Sequence, residues 1–207
     1  MQLLKSLFTP ISALQLAGFL DGAPLPDRPA LVTFDDGYRD NGLVAWPILR
    51  EMGIPAIVFL ATGHIGTNKP FLWDFAAFCF ERTHLDRAIV PLLGEVQLGD
   101  QLHRRQLTRE WIASVKTCRA GSRWRLAGEL SKALATEPTS GDFDDLYLTW
   151  EDVRRLSAEG LHFGGHTRSH PILTRVDRAS ARAEIDDCRQ LLTQRVGHAI
   201  DAFAYPK

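Results

Sequence analysis

Thr33-Phe34-Asp35-Asp36-Gly37-Tyr38 sets two adjacent carboxylates at the end of a short apolar run. Strands disfavour aspartate, so a pair at a strand terminus answers to something other than sheet packing. On extended backbone the two side chains point opposite ways. Gly37 allows a sharp turn, after which one can face a metal while its neighbour faces a water. Taken alone, a capping or turn pair explains them equally well. A second segment is His166-Thr167-Arg168-Ser169-His170-Pro171. Two histidines four apart converge on one cation if the segment is a helical turn. Neutral imidazoles suit zinc, cobalt or nickel, and a carboxylate completes a three-ligand face with room for water. Thr167 and Ser169 can bond backbone groups and fix the turn. Two surface histidines are the competing explanation, weakened by the Gly164-Gly165 pair just before them. The third segment is Phe203-Ala204-Tyr205-Pro206-Lys207. An aromatic-Pro sequence after a strand can form one wall of a pocket and aim backbone N–H groups into it, although an ordinary core strand end accounts for it as well.

The elements that must position these segments lie between them. Residues 30–34 read as a buried strand that stops at the aspartates. Asp40 and Asn41 are placed to cap a helix with Leu43, Val44, Ile48 and Met52 inward and Gly53 at its end. Residues 54–60 form a second apolar strand, ending at Ala61-Thr62-Gly63, so strand, helix and strand make a parallel crossover unit. From His64 to about Asp145 the pattern is less regular. Helices are expected over 73–82 and 109–135 and a hairpin or ribbon over 90–98, and the whole stretch reads as an insertion rather than a second domain. Thr149 and Asp152 have capping-box spacing for a helix with Val153 and Leu156 inward and Gly160 at its end. Residues 161–163 are a third strand, stopping at Gly164-Gly165-His166. Asp177 or Ser180 opens a helix with Ala183, Ile185, Leu191 and Leu192 inward, ending near Gly197, and residues 200–204 are a fourth strand. No strand is recognisable before Ile11. In parallel α/β architectures ligands collect at the carboxyl ends of strands, where all three polar segments fall.

The 207 residues, 45% hydrophobic and 24% charged, have the size and composition of one soluble globular domain. A formal net charge of -1 gives no reason to expect nucleic acid or an anionic membrane as partner. Arg104, Arg105, Arg109, Lys116, Arg119, Arg123 and Arg125 read as a solvated helix face. Cys79, Cys118 and Cys188 are far apart and form no Cys-x-x-Cys pair, so ordinary buried thiols are expected. No apolar run reaches the length of a membrane span. The first twenty residues lack a signal-peptide core and cleavage site, which makes the cytoplasm the expected location.

Together, and in this order, the three segments resemble the motifs of the polysaccharide deacetylase family, also called carbohydrate esterase family 4 or the NodB-homology domain. Thr33 to Gly37 looks like its Thr-Phe-Asp-Asp-Gly motif, and His166 to His170 like its His-Ser/Thr-x-x-His motif. Phe203 to Lys207 is similar to variants of its Phe-Ala-Tyr-Pro-x-Gly motif. The likeness runs from Leu31 to Lys207; residues 11–29 resemble the helix and linker before the first motif, and residues 63–145 are poorly diagnostic. It implies an α/β fold, a distorted (β/α) barrel with fewer strands than the eight-stranded kind. On this reading the barrel is incomplete here: a single domain over 1–207, a helical insertion at about 64–145, and the closing C-terminal strands missing.

The resemblance also implies an activity, hydrolysis of an N-acetyl group on an oligo- or polysaccharide with release of acetate. Asp36, His166 and His170 would bind one divalent metal, zinc ahead of cobalt or nickel, and Asp35 would be the catalytic base. Backbone N–H near Lys207 would help hold the oxyanion, and Tyr205 and Pro206 would line the substrate site. An oligomer is left open. Trp73, Trp111, Trp124 and Trp150 can stack on sugars, but packing is the simpler expectation because no spacing singles out a groove. Two departures stand out. Ala204 occupies the place where other branches carry an arginine that orients the base, and the usual late histidine acid is expected beyond the chain end. Two other functions fit the same residues: a metal-dependent amidase on a small non-glycan amide, and a catalytically inactive glycan-binding or assembly module.

Overall fold

The computed structural model of the chain describes residues 1–206. Helix α1 (Gln2–Leu7) leads into β1 (Thr9–Pro10), followed by α2 (Ala13–Leu20) and β2 (Pro29–Ala30), which pairs parallel with β1. Strand β1 has no signature in the sequence: two residues carry no periodicity, and Pro10 has no N–H to offer. Ser12 starts α2 with a full capping box, its hydroxyl accepting from Gln15 N–H while the Gln15 side chain accepts from Ser12 N–H. The run expected as one strand over 30–34 is divided. Ala30 pairs with β1, and beyond Leu31 the chain changes partner to become β3 (Val32–Phe34).

After β3 comes a π-helical turn, Asn41–Ala45, and then α3 (Trp46–Glu51). The wide turn takes an extra residue and rotates the inward face away from the 3.6-residue pattern. Gly42, Trp46 and Leu49 are therefore buried, while Val44 and Ile48, expected inside, are 59% and 50% exposed. Asp40 makes no side-chain cap. Strand β4 (Ala56–Leu60) is buried along its whole length and pairs parallel with β3 in the register Val32–Ala56, Thr33–Ile57, Phe34–Val58.

The contacts separate two compact units: Met1–Thr67 with the chain from Asp145 onward, and Asn68–Asp144. The second holds α4 (Leu72–Arg82), the antiparallel hairpin β5 (Arg87–Val90) and β6 (Gly94–Gln97), α5 (Gln101–Thr117) and α6 (Arg123–Ala133). Phe80, Trp111, Leu130 and Leu134 form its core. The single helix expected over 109–135 is two, because Cys118 and Arg119 leave the helical region and Gly121 and Ser122 are weak helix formers. Two arginines expected on a solvated face do local work instead. Arg104 donates to the carbonyls of Phe80, Glu81 and Thr83 at the end of α4, and Arg123 to those of Lys116 and Cys118 at the end of α5. Each satisfies helix carbonyls that have no partner within the helix.

The first unit resumes with α7 (Trp150–Ala158), where the expected capping box is present. Thr149 Oγ1 accepts from Asp152 N–H, the Asp152 carboxylate accepts from Thr149 N–H, and Val153 and Leu156 are buried. Strand β7 (His162–Gly165) pairs parallel with β4, giving the order β3-β4-β7. Helix α8 (Arg178–Val196) is capped by Asp177, which accepts from Ser180 N–H. It buries Leu192 as expected, with Cys188 beside it, leaves Ile185 and Leu191 half-buried, and exposes Ala183, which was expected inside. The strand expected over 200–204 reduces to one parallel bridge between Gly165 and Phe203, made by Gly165 N–H to Ala202 and Ala204 N–H to Gly165. Pro206 cannot extend such a ladder. The three cysteines are free, with Cys79 and Cys188 buried. Among the described residues no helix is long and apolar enough to cross a membrane.

Candidate metal centre

Three parallel strands release three loops at the same end of the sheet, and the polar residues gather there. Asp36 follows β3 in the left-handed region, φ 72°, and Gly37 continues the turn at φ 86°. A Cβ on Gly37 would lie 2.6 Å from Ile65 and 2.7 Å from Leu60, so both backbone and packing require glycine. The turn leaves Asp35 exposed and Asp36 largely buried. His166 to His170 is a loop rather than the expected helical turn, with Thr167 at φ 67° and His170 at φ 58°. Left-handed backbone costs a non-glycine residue about 1–2 kcal/mol. The Thr167 hydroxyl offsets part of this, donating to the His166 carbonyl and accepting from His170 N–H at 3.1 Å. The loop also rests on the end of β4, where Thr62 and Gly63 donate N–H to the carbonyls of Thr167 and Arg168.

Asp36 Oδ1 lies 3.2 Å from His170 Nε2 and 3.6 Å from His166 Nε2. All three ligand atoms fall within 4.8 Å of one another. His166 is 2% exposed, and its Nδ1 sits 2.9 Å from the carbonyl of Ala204. A carbonyl only accepts, so Nδ1 carries the proton and Nε2 turns a lone pair toward Asp36. Burial pushes the His166 imidazole below its ordinary value; the neighbouring His170 adds to this, against the Ala204 bond and the charges of Asp35 and Asp36. The shift favours the neutral ring, the form a metal ligand needs.

Asp36 Oδ1 is buried without a hydrogen-bond partner. A buried carboxylate oxygen facing an imidazole lone pair is costly unless a cation lies between them. Tetrahedral zinc with bonds near 2.0–2.1 Å needs ligand atoms roughly 3.3 Å apart, close to the spacings around Asp36 Oδ1. Two imidazole nitrogens and one carboxylate oxygen thus fit a zinc-class ion and leave positions for water.

Of the residues expected at the site, Asp36, His166 and His170 are brought together. Asp35 stands on the same loop, its backbone carbonyl accepting from Gly37 N–H and the Asn41 side chain, and its charge is felt at His166. Tyr205 is 71% exposed and edge-on to Phe203, while Pro206 is buried. Lys207 lies outside the described residues. Two contributors escaped the sequence reading. Ala204 drew notice for the arginine it replaces, yet it acts through its carbonyl, which no side chain signals. Gly63 lies where a Cβ would come within 2.7 Å of the Arg168 carbonyl oxygen, so it sets how closely the histidine loop docks. Its only sequence signal was a glycine just after a buried strand.

A sequence model of the polysaccharide deacetylase family matches residues 22–207. The Streptococcus pyogenes deacetylase PplD in complex with acetate aligns with a TM-score of 0.54 at 16% identity, covering 96% of this chain and 55% of that one. The BpsB deacetylase domain of Bordetella bronchiseptica gives 0.51 at 18% identity, over 96% of this chain and 63% of that one. IcaB from Ammonifex degensii gives 0.53 at 16%, over 96% and 59%. At these identities the likeness is one of α/β fold, and the chain spans between 55% and 63% of the length of these structures. A 40-residue stretch, 19% of this chain, is 42% identical to 14% of YxkH of Bacillus subtilis, whose own assignment as a polysaccharide deacetylase is provisional.

Proposed function

The chain belongs to the polysaccharide deacetylase family, and from that premise we propose that it hydrolyses the N-acetyl amide of a glycan and releases acetate, using a divalent metal held by Asp36, His166 and His170. The observation that carries this reading is the buried Asp36 Oδ1, without a hydrogen-bond partner and facing two imidazole nitrogens at 3.2 Å and 3.6 Å. A divalent ion there, zinc first and cobalt or nickel on the same donors, would supply Lewis-acid activation of the amide carbonyl and of water. Asp35, exposed on the same loop, accepts the proton that the attacking water gives up. Ala204 holds His166 in the tautomer that frees Nε2. Tyr205 offers an exposed aromatic face for a sugar ring, with Pro206 buried beside it. We read the three parallel strands as an arc of a distorted (β/α) barrel, and Asn68–Asp144 as an insertion into a single deacetylase domain. The acetate in the PplD structure is the product that such a hydrolysis releases.

The test joins elemental analysis of the purified chain to acetate release from N-acetylated oligosaccharides. Asp35→Asn should keep its metal and lose activity by about 10²–10⁴-fold, the usual worth of a general base. The double variant His166→Ala/His170→Ala should lose metal and activity together. Full activity in Asp35→Asn would sink the assigned base. A wild-type chain that takes up neither zinc nor cobalt would sink the metal centre.

A further inference from the structure

The loop that carries both histidines is held from two sides, one of them the end of β4. On the other side stands Glu184, in the second turn of α8. Its carboxylate accepts three hydrogen bonds from two consecutive loop residues: Arg168 N–H at 2.8 Å, Ser169 N–H at 2.7 Å and the Ser169 hydroxyl at 2.5 Å. Asp187 pairs with the Arg168 guanidinium at 3.2 Å, and Cys188 Sγ lies 3.3 Å from where a Gly165 Cβ would stand. Positions 184, 187 and 188 share one face of a helix, so that face of α8 is turned to the loop.

Arg168 and Ser169 are the residues between the two histidines' left-handed supports. Thr167 and His170 both hold positive φ, a conformation that such residues seldom adopt unaided. A carboxylate receiving two adjacent amides and a hydroxyl makes charge-assisted bonds, stronger than neutral ones. It therefore fixes the direction in which the chain returns toward Asp36. We propose that Glu184 is a positioning residue of the metal centre: by locking Arg168 and Ser169 it brings His170 back onto Asp36 and His166. This inference rests on the metal reading above and adds to it the group that preorganises the site.

Zinc affinity by competition with a chromophoric chelator, together with the visible absorption of the cobalt-loaded chain, tests it. Glu184→Ala should weaken zinc binding by about 10–100-fold, the usual cost of removing a partner that orients a ligand, and should change the cobalt bands. Glu184→Gln should restore most of the affinity, since its carbonyl oxygen still accepts from both amides. Asp186→Ala, which removes an exposed carboxylate paired with Arg182, should match the wild type. A merely structural role would lower the melting point of the metal-free protein and leave affinity and spectrum untouched; that result overturns the inference. If Glu184→Ala does not fold, Ser169→Ala removes one of the three bonds and should still weaken zinc binding measurably, and an unchanged affinity there overturns it as well. A wild type that binds neither ion removes the metal reading and this inference together. Wild-type binding with unaffected Glu184 variants removes this inference alone.

Discussion

His166 Nδ1 donates its proton in a hydrogen bond to a backbone carbonyl, and that bond leaves Nε2, on the opposite edge of the ring, for Asp36. Much at this site depends on main-chain groups in the same way. Gly63 touches no ligand, yet a side chain there meets the Arg168 carbonyl at 2.7 Å. Backbone cannot move aside as a flexible side chain does, so Gly63→Ala should displace the histidine loop. We expect zinc affinity to fall by roughly tenfold, read by chelator competition, with helix content unchanged by circular dichroism. The residue types that could hold a metal were open to view in the sequence because carboxylate and imidazole chemistry is written in side chains. How they converge was not. Thr167 and His170 adopt positive φ without being glycine or asparagine; the Thr167 hydroxyl supports them locally, while the other bonds to their loop come from Thr62, Gly63 and Glu184 on separate elements.

Helix starts show the opposite balance, since a capping box is local and a short motif contains all of it. Thr149 and Asp152 open α7 as their spacing indicates. Burial works against ionisation of Asp152, but the bonds from the Thr149 hydroxyl and N–H, with Arg155, outweigh it and hold the carboxyl below its ordinary value. A carboxyl lowered on folding stabilises the fold above its unfolded pKa, near 4, and that contribution fades as pH falls through this value toward the lowered one. The melting point of Asp152→Asn should therefore decline less than that of the wild type between about pH 6 and pH 3. Thr149→Ala should cost about 1 kcal/mol at neutral pH in a denaturant titration. Helix ends are harder to foresee. Arg104 and Arg123 serve carbonyls at the ends of α4 and α5, and nothing in a run of basic residues distinguishes them from solvated neighbours. The π-helical turn before α3 likewise defeats a 3.6-residue pattern, which is why Val44 and Ile48, inward by that pattern, are exposed.

At the scale of the molecule, the parallel crossover from β3 to β4 was legible because two apolar runs flank one helix, and the irregular stretch between His64 and Asp145 marked approximately where the unit Asn68–Asp144 lies. The core of that unit was not legible, since the apolar faces of α4, α5 and α6 meet only in three dimensions. Trp111 is fully buried there, and its indole Nε1 has no hydrogen-bond partner. Trp111→Ala should destabilise by about 3–5 kcal/mol in urea unfolding. Trp111→Phe should cost clearly less, because it removes an unsatisfied buried donor along with the lost volume.

The strand order carries a consequence in time. β4 lies between β3 and β7, so Asp36 and the two histidines are held together only after both flanking strands have paired with it. A chain made from its N-terminus acquires Asp36 long before His166. An ion would therefore have no complete ligand set to seize until these non-local pairings, the slow part of such a fold, are in place. Bound there, it would act as a latch on finished assembly, delaying escape from the native state rather than hastening arrival.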